Sequence, residues 1–224
     1  MMKKGLMKEA LIKIAAGFVL VCLLLFVPAG TFRWSNGWLF IAILFIPMFI
    51  AGIVMYYKDP ALLRSRLNAK EKEKEQKDVI GYSGIMFMAA FIVAGLNHRF
   101  GWTKLPETVI IAACVVFLLS YLMFAEVLRE NSFLSRTIEV QEEQTVVDTG
   151  LYGIIRHPMY TATVFLFLCM PLIMDSLPSF LIMLVYIPLI IKRIRNEEEV
   201  LEKELKGYRE YKEKVKYRLL PYIW

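Results

Sequence analysis

Gly150-Leu151-Tyr152-Gly153-Ile154-Ile155-Arg156-His157-Pro158-Met159-Tyr160 sets a dense polar cluster directly against an uncharged run of 18 residues, His157 to Met174. As a helix rising 1.5 Å per residue, that run reaches about 27 Å, close to the roughly 30 Å hydrocarbon core of a bilayer. A tight turn at Asp175-Ser176-Leu177-Pro178 leads into a second uncharged run, Ser176 to Ile191, which ends at another polar cluster, Arg193-Ile194-Arg195-Asn196-Glu197-Glu198-Glu199-Val200-Leu201. Two membrane helices joined by that turn bring both clusters to the same face of the bilayer, side by side. The sequence predicts a helical hairpin with a polar site at its open end.

The rest of the chain repeats this alternation. Its residues are 58% apolar, mean hydropathy is +0.51, and the charge sits in blocks between long apolar runs, a composition outside the soluble globular range. Besides the two hairpin runs, Ile14 to Phe32, Trp34 to Tyr57, Val79 to His98 and Thr108 to Ala125 hold the fewest charges. The expected architecture is all-α, a polytopic membrane bundle of about six spans with a C-terminal helical hairpin. Pro171 and Pro188 are tolerable inside spans where neighbouring helices cover the freed backbone groups. Lys192, Arg193 and Arg195 extend the short sixth span by snorkelling.

Basic residues are unevenly spread over the connecting segments. With both termini cytoplasmic, the inside segments carry Lys3, Lys4, Lys8, seven basic residues from Lys58 to Lys77, three from Arg129 to Arg156 and ten from Lys192 onward; the outside loops carry Arg33, Arg99 and Lys104. This is the positive-inside pattern, so the expected localisation is a multi-pass membrane protein with its polar site at the cytoplasmic face. Anionic headgroups account for the net charge of +6 without a nucleic-acid partner. The basic N-terminal run lacks a small-residue cleavage site and reads as a retained first helix.

Local features set further expectations. Cys22, Cys114 and Cys169 lie in apolar spans with neither pairing nor ligand spacing, and His98 and His157 form no set with them, so neither disulfide nor metal is expected. Lys70 to Glu75 reads as a solvated helix or loop, Glu126 and Arg129 as a local ion pair, and His98 with Arg99 and Trp102 as an interfacial belt. Glu197 to Lys206 and Tyr208 to Tyr217 read as two amphipathic cytoplasmic helices broken at Gly207, and Leu219 to Trp224 as an interfacial anchor. No internal repeat points to a transporter.

Gly150, Tyr152 and Arg156-His157-Pro158-x-Tyr160, then Arg193-x-x-x-Glu197-Glu198-x-x-Leu201, then Gly207-Tyr208-x-x-Tyr211 and Arg218-Leu219-Leu220-Pro221 form an ordered set around the hairpin. This set resembles the C-terminal signature of the isoprenylcysteine carboxyl methyltransferase family and its prokaryotic relatives. The resemblance runs from Asn131 to Trp224. It divides the chain into residues 1–128, N-terminal spans that are partly a variable accessory region, and residues 129–224, the signature region with the cofactor site.

The resemblance implies an S-adenosylmethionine-dependent methyltransferase that releases S-adenosylhomocysteine and lacks a Rossmann domain, in keeping with a chain that has no G-x-G-x-x-G loop after a strand. Family cofactor positions fall on Gln144, Thr145, Val146, Val147, Tyr152, His157, Pro158, Met159, Tyr160 and Glu197, and Arg193 matches the position that holds the substrate carboxylate. The residue chemistry agrees. Proline at a helix start leaves neighbouring N–H groups to receive a carboxylate, and Arg156 reinforces that anion site. Tyr152 and Tyr160 offer aromatic surface to an adenine or a sulfonium, while Glu197 accepts from ribose or amino groups. A guanidinium at 193 grips a carboxylate in a bidentate way, and an ionised carboxylate needs no general base for methyl transfer.

The expected acceptor is lipophilic, carboxylate-bearing and isoprenylcysteine-like, entering sideways from the bilayer. Membrane lipids are the expected partners, with no obligate protein partner. The alternatives are a phospholipid-amine N-methyltransferase, and a non-enzymatic membrane or transport protein on the same scaffold.

Overall fold

The computed structural model describes residues 2–67, 74–131, 133–134, 140–141 and 143–224. Its helices are α1 (Met2–Ala29), α2 (Ser35–Lys58), α3 (Pro60–Leu67), α4 (Lys74–Phe100), α5 (Glu107–Glu130), α6 (Pro158–Ile173), α7 (Leu177–Met183), α8 (Tyr186–Glu204) and α9 (Tyr208–Lys214), with a 3-10 turn over Gly150–Gly153. Among the described residues β pairing is confined to one isolated parallel bridge, Ile155 to Tyr217. The all-α expectation holds. Most of the Lys70 to Glu75 run lies outside the described residues.

Five helical stretches are long and apolar enough to cross a membrane: Gly5–Ala29, Ser35–Lys58, Lys77–Phe100, Glu107–Glu130 and Leu177–Glu204, the last taking in α7, a turn and α8; Pro158–Ile173 is a shorter apolar helix. Large apolar side chains such as Val27, Ile46, Leu119 and Leu122 are more than half exposed on their outer faces. A surface of that kind belongs in hydrocarbon, not water.

The interior is built around α6. Helix α5 packs most extensively against it, α1 lies along α4, and α4 also meets α7 and α8. Leu25, Phe40, Phe91, Phe117, Leu166, Met170 and Ile173 form the main core. The α1–α4 crossing is close because α4 has Gly95 there: a Cβ would stand 2.4 Å from the Leu25 carbonyl oxygen. Small residues permit such backbone approach between membrane helices.

Each break has a local cause. Pro188 has no N–H to give the Leu184 carbonyl, so that oxygen takes the Ile187 N–H at 3.1 Å instead and the sixth span divides into α7 and α8. After α6, Asp175 sits at φ +60, with its N–H on the Leu172 carbonyl and the Ser176 N–H on the Pro171 carbonyl. Those two bonds are a Schellman closure, and a short polar side chain tolerates the left-handed position.

At this end of the bundle Asn97, buried on α4, donates to the carbonyls of Asp175 at 2.8 Å and Thr103 at 3.2 Å and accepts from both the N–H and the hydroxyl of Thr103. His98 stacks on Trp34 at 4.8 Å, a specific contact that the belt reading did not contain. At the other end Lys13 donates to the Leu67 carbonyl, 2.7 Å, and Arg129 makes two bonds to Glu126, 2.7 and 2.8 Å, the expected local pair.

The C-terminal segment departs from expectation. Glu197 to Glu204 is not a separate amphipathic helix but the continuation of α8, which is capped by Leu205 before Gly207 turns at φ +87 into α9. The last residues fold back on themselves: the Arg218 and Leu219 N–H groups both donate to the Trp224 carbonyl, and Arg218 lies 5.0 Å over the Trp224 ring. Tyr222 and Ile223 remain exposed, and they carry what is left of the interfacial-anchor reading.

Candidate active site

Extended backbone enters α6 already paired. The Arg156 N–H donates to the Tyr217 carbonyl and the His157 N–H to the Arg218 carbonyl, each at 2.9 Å, and the Thr161 hydroxyl donates to the Leu219 carbonyl at 2.8 Å. These bonds hold the C-terminal segment beside the start of α6. Pro158 occupies the first helical position, where its missing N–H costs nothing.

Under this junction lies a buried charge cluster. Glu198, 3% exposed, accepts from Arg156 Nε at 2.7 Å, from Arg218 Nε at 2.8 Å and from His157 Nε2 at 3.2 Å. A carboxylate held by two guanidinium groups is an acceptor only, so the proton on this face of His157 sits on Nε2. The opposite nitrogen, Nδ1, then lies 4.0 Å from Glu197 Oε1. Arg156 also donates through Nη1 to the carbonyls of Val215 at 2.6 Å and Lys216 at 2.9 Å. The residue expected to strengthen an anion site thus has most of its fork committed to Glu198 and the C-terminal backbone.

Glu197 and Glu198 point different ways because consecutive helical residues are about 100° apart. Glu197 faces a cavity of about 100 Å³ between α6, α8, α9 and residues 131, 133–134 and 144–147. The Tyr160 hydroxyl donates to Glu197 and accepts from Arg193 Nε at 2.9 Å, and the Arg193 guanidinium lies 6.0 Å over the Tyr160 ring. Tyr160 therefore bridges the two residues that the sequence placed four apart on one helix.

The opposite wall is set by hydroxyl and amide bonds. Asn131 Nδ2 donates to the Tyr152 hydroxyl at 3.1 Å, and the Tyr211 hydroxyl donates to the Tyr152 carbonyl at 2.8 Å. Burial pushes the Tyr152 phenol up to about 12, so it stays protonated at neutral pH. Gln144 closes a turn by accepting from the Gln141 N–H at 2.9 Å. Val146 and Leu201 pack against the small core of Leu205, Tyr208, Tyr211 and Val215.

Gln144, Thr145, Val146, Val147, Tyr152, Arg156, His157, Met159, Tyr160, Arg193 and Glu197 all line this cavity. Pro158, the remaining expected site residue, is buried at the helix start outside the lining. Sequence reasoning gave no role to Glu198, Tyr208, Tyr211 or Arg218, although all four stand in the motif set. The repeated carboxylate at 197–198 was the available signal for Glu198: two acids on a helix that is otherwise apolar at its core need two different sets of partners. Asn131, Phe133, Leu134 and Leu205 had no such signal, since only the folded loop brings them to the wall.

A membrane helix bundle with a buried charge cluster and a polar cavity at one end defines the class. Residues 108–207, just under half of the chain, match the model of the phospholipid methyltransferase family. That family belongs to the integral membrane methyltransferase superfamily, which also takes in the isoprenylcysteine carboxyl methyltransferase-like proteins, and over this stretch the chain is similar to it. The chain is also similar to mouse delta(14)-sterol reductase TM7SF2, 28% identical over 91 residues, which are 39% of this chain and 22% of the relative. The matched stretch thus spans less than a quarter of that curated relative.

Proposed function

We propose that the protein is an S-adenosylmethionine-dependent methyltransferase acting on a lipophilic, carboxylate-bearing acceptor, with the cofactor held in the cavity between α6, α8 and α9. The observation that carries this reading is the convergence of Tyr160, Arg193 and Glu197 on one cavity, from two helices, with His157 behind them. The donor set suits the cofactor: Glu197 accepts from an amino or hydroxyl group, the Met159 N–H stands at the second position of α6, where the helix itself supplies no acceptor, and Tyr152 supplies aromatic surface. When bound, the cofactor supplies an electrophilic methyl group on a sulfonium.

The chain's own residues position and desolvate. Arg193 and Glu197 are already held through the Tyr160 hydroxyl, so an acceptor carboxylate takes over an oriented guanidinium and little ordering cost remains. The cavity is smaller than the roughly 300–1,000 Å³ of most small-molecule sites, so binding parts its walls. The acceptor enters from the bilayer along the apolar outer faces of the helices. The site end faces the cytoplasm on this reading, and tags at residues 1 and 224 report cytoplasmic while a tag near Lys104 reports outside; termini on opposite sides overturn that orientation.

Methyl transfer from labelled S-adenosylmethionine to a lipid extract tests the reaction. Base-labile release of label identifies an ester. The match to the phospholipid methyltransferase family favours a second reading, transfer to a phospholipid amine, and base-stable label in a phospholipid fraction identifies that outcome. Absence of saturable S-adenosylhomocysteine binding by folded protein removes both readings and leaves the scaffold with a non-enzymatic role.

A further inference from the structure

Tyr152, Tyr160, Tyr208 and Tyr211 all line the cavity, and all are at least nine-tenths buried. The hydroxyls of the first, second and fourth are paired, with Asn131, with Glu197 and Arg193, and with the Tyr152 carbonyl. Tyr208 differs. It is 4% exposed, and its hydroxyl oxygen is fully enclosed with no hydrogen-bond partner.

Packing does not call for that hydroxyl. The Tyr208 ring fills a small core with Leu205, Tyr211 and Val215, against Val146 and Leu201, and a phenylalanine ring fills the same volume without burying an unmatched polar group. Gly207, in the left-handed region at φ +87, sets the start of α9 and so fixes where the ring enters. Burial, and after it the neighbouring Glu198 and Glu197 carboxylates, hold the phenol well above its usual range. The group therefore remains an O–H that can both donate and accept.

We infer that the Tyr208 hydroxyl is a ligand contact for the adenosine half of the cofactor, acting beside Glu197. This rests on the cofactor reading above. Glu197 offers an acceptor and Tyr208 a donor to the same cavity, so the pair suits a ligand edge that carries a donor next to an acceptor. Adenosine has two such edges: the adenine amino group beside its ring nitrogen, and the vicinal ribose hydroxyls. The methionine half does not suit it in the same way, because its carboxylate is repelled by Glu197 and its ammonium has nothing to accept with. A cavity of about 100 Å³ must widen to admit the ligand, and on this inference that widening uncovers the enclosed oxygen.

The test is Tyr208→Phe in the full chain in detergent, with calorimetric titration of S-adenosylhomocysteine and of 5′-deoxy-5′-methylthioadenosine, which keeps the adenosine and thioether but has no amino acid. The ligand-free melting temperature should be unchanged or higher, and both ligands should weaken by the same factor, about 5- to 20-fold, the size of one lost hydrogen bond in a buried site. Unchanged affinity for both ligands overturns the inference, as does weakening of S-adenosylhomocysteine alone. A melting temperature lowered by several degrees also overturns it, since the hydroxyl then has a partner in the ligand-free fold. Wild-type protein that binds S-adenosylhomocysteine but not the shortened ligand refutes adenosine recognition alone. Wild-type protein that binds neither refutes the cofactor reading and this inference with it.

Discussion

Asn97 at one end of the bundle and Glu198 at the other are both buried polar residues that tie three segments together, yet they do so by different chemistry. Asn97 satisfies itself on backbone carbonyls and on Thr103, neutral partners fixed by the fold. Glu198 collects two guanidinium groups and an imidazole from α6 and the C-terminal segment. The neutral knot closes its end, and nothing in it is free to change partners. The charged knot anchors a wall next to side chains that can: Tyr160, Arg193 and Glu197 are bonded to each other across a cavity, and a ligand can replace each of those bonds with one of its own. Rigidity behind and exchangeable contacts in front is how a site is held in place without being filled.

The sharpest way to break the comparison is Glu198→Ala. It strands Arg156, Arg218 and His157 in the interior, and removal of one member of a buried ion cluster costs about 3–5 kcal/mol. Thermal unfolding in detergent should show a large drop, and cofactor binding should fail with it. A melting temperature near wild type would mean the two guanidinium groups and the imidazole find other partners and the knot is dispensable.

Arg193→Ala should act on chemistry without acting on the fold. If Arg193 holds an acceptor carboxylate, transfer falls by about 30- to 150-fold, since a charge-assisted contact in a desolvated site is worth roughly 2–3 kcal/mol. S-adenosylhomocysteine affinity should stay within a few-fold by calorimetry. Arg193→Lys should recover only part of the rate, because a point charge does not reproduce a planar fork. Full activity in the alanine variant would redirect the acceptor search to amines.

At the opposite end, Asn97→Ala leaves the Asp175 carbonyl and the Thr103 N–H without their buried partner, at about 1–3 kcal/mol. The expected readout is a lowered melting temperature with S-adenosylhomocysteine affinity unchanged. Weakened binding would show that the two ends are coupled through α4 or α6.

The smallest effect separates two glutamates on one helix. Glu197→Ala should weaken S-adenosylhomocysteine binding by about tenfold, one hydrogen bond's worth, while Glu202→Ala should leave it unchanged. Glu202 pairs with Lys212 on α9, away from the cavity lining. Equal effects would mean that Glu197 has no special place in the cavity.

The spans were legible because charge-free runs leave few alternatives: a long apolar helix flanked by basic residues has one stable environment. The hairpin turn was legible too, from Asp175 to Pro178. Local periodicity, however, could not show where α8 stops. Glu197 to Lys206 has the amphipathic pattern of a surface helix, but Glu198 is drawn inward by Arg156 and Arg218, partners 42 and 20 residues away, and the helix runs on unbroken. The same long-range pairing gives Arg156 a structural task that its position in the motif did not disclose. Tyr208 was readable as a motif residue, but an unmatched hydroxyl is a property of packing and has no trace in a one-dimensional pattern.

The interruption at Leu184 and Val185 bears on how the protein meets membranes of unequal thickness. A straight span answers a thicker or thinner bilayer by tilting as one rod, which moves every residue along it. Here the sixth span is jointed, a seven-residue piece at the turn end and a 19-residue piece that carries Arg193, Glu197 and Glu198. The shorter piece is fixed against α4 and α6, with the Ser179 hydroxyl on the Ala90 carbonyl at 2.8 Å, and the longer one is tied to the start of α6 through Glu198 and Arg156. With both pieces held, a change in bilayer thickness is met by the bundle moving together, and the spacing of the polar groups is kept by packing on either side of Pro188.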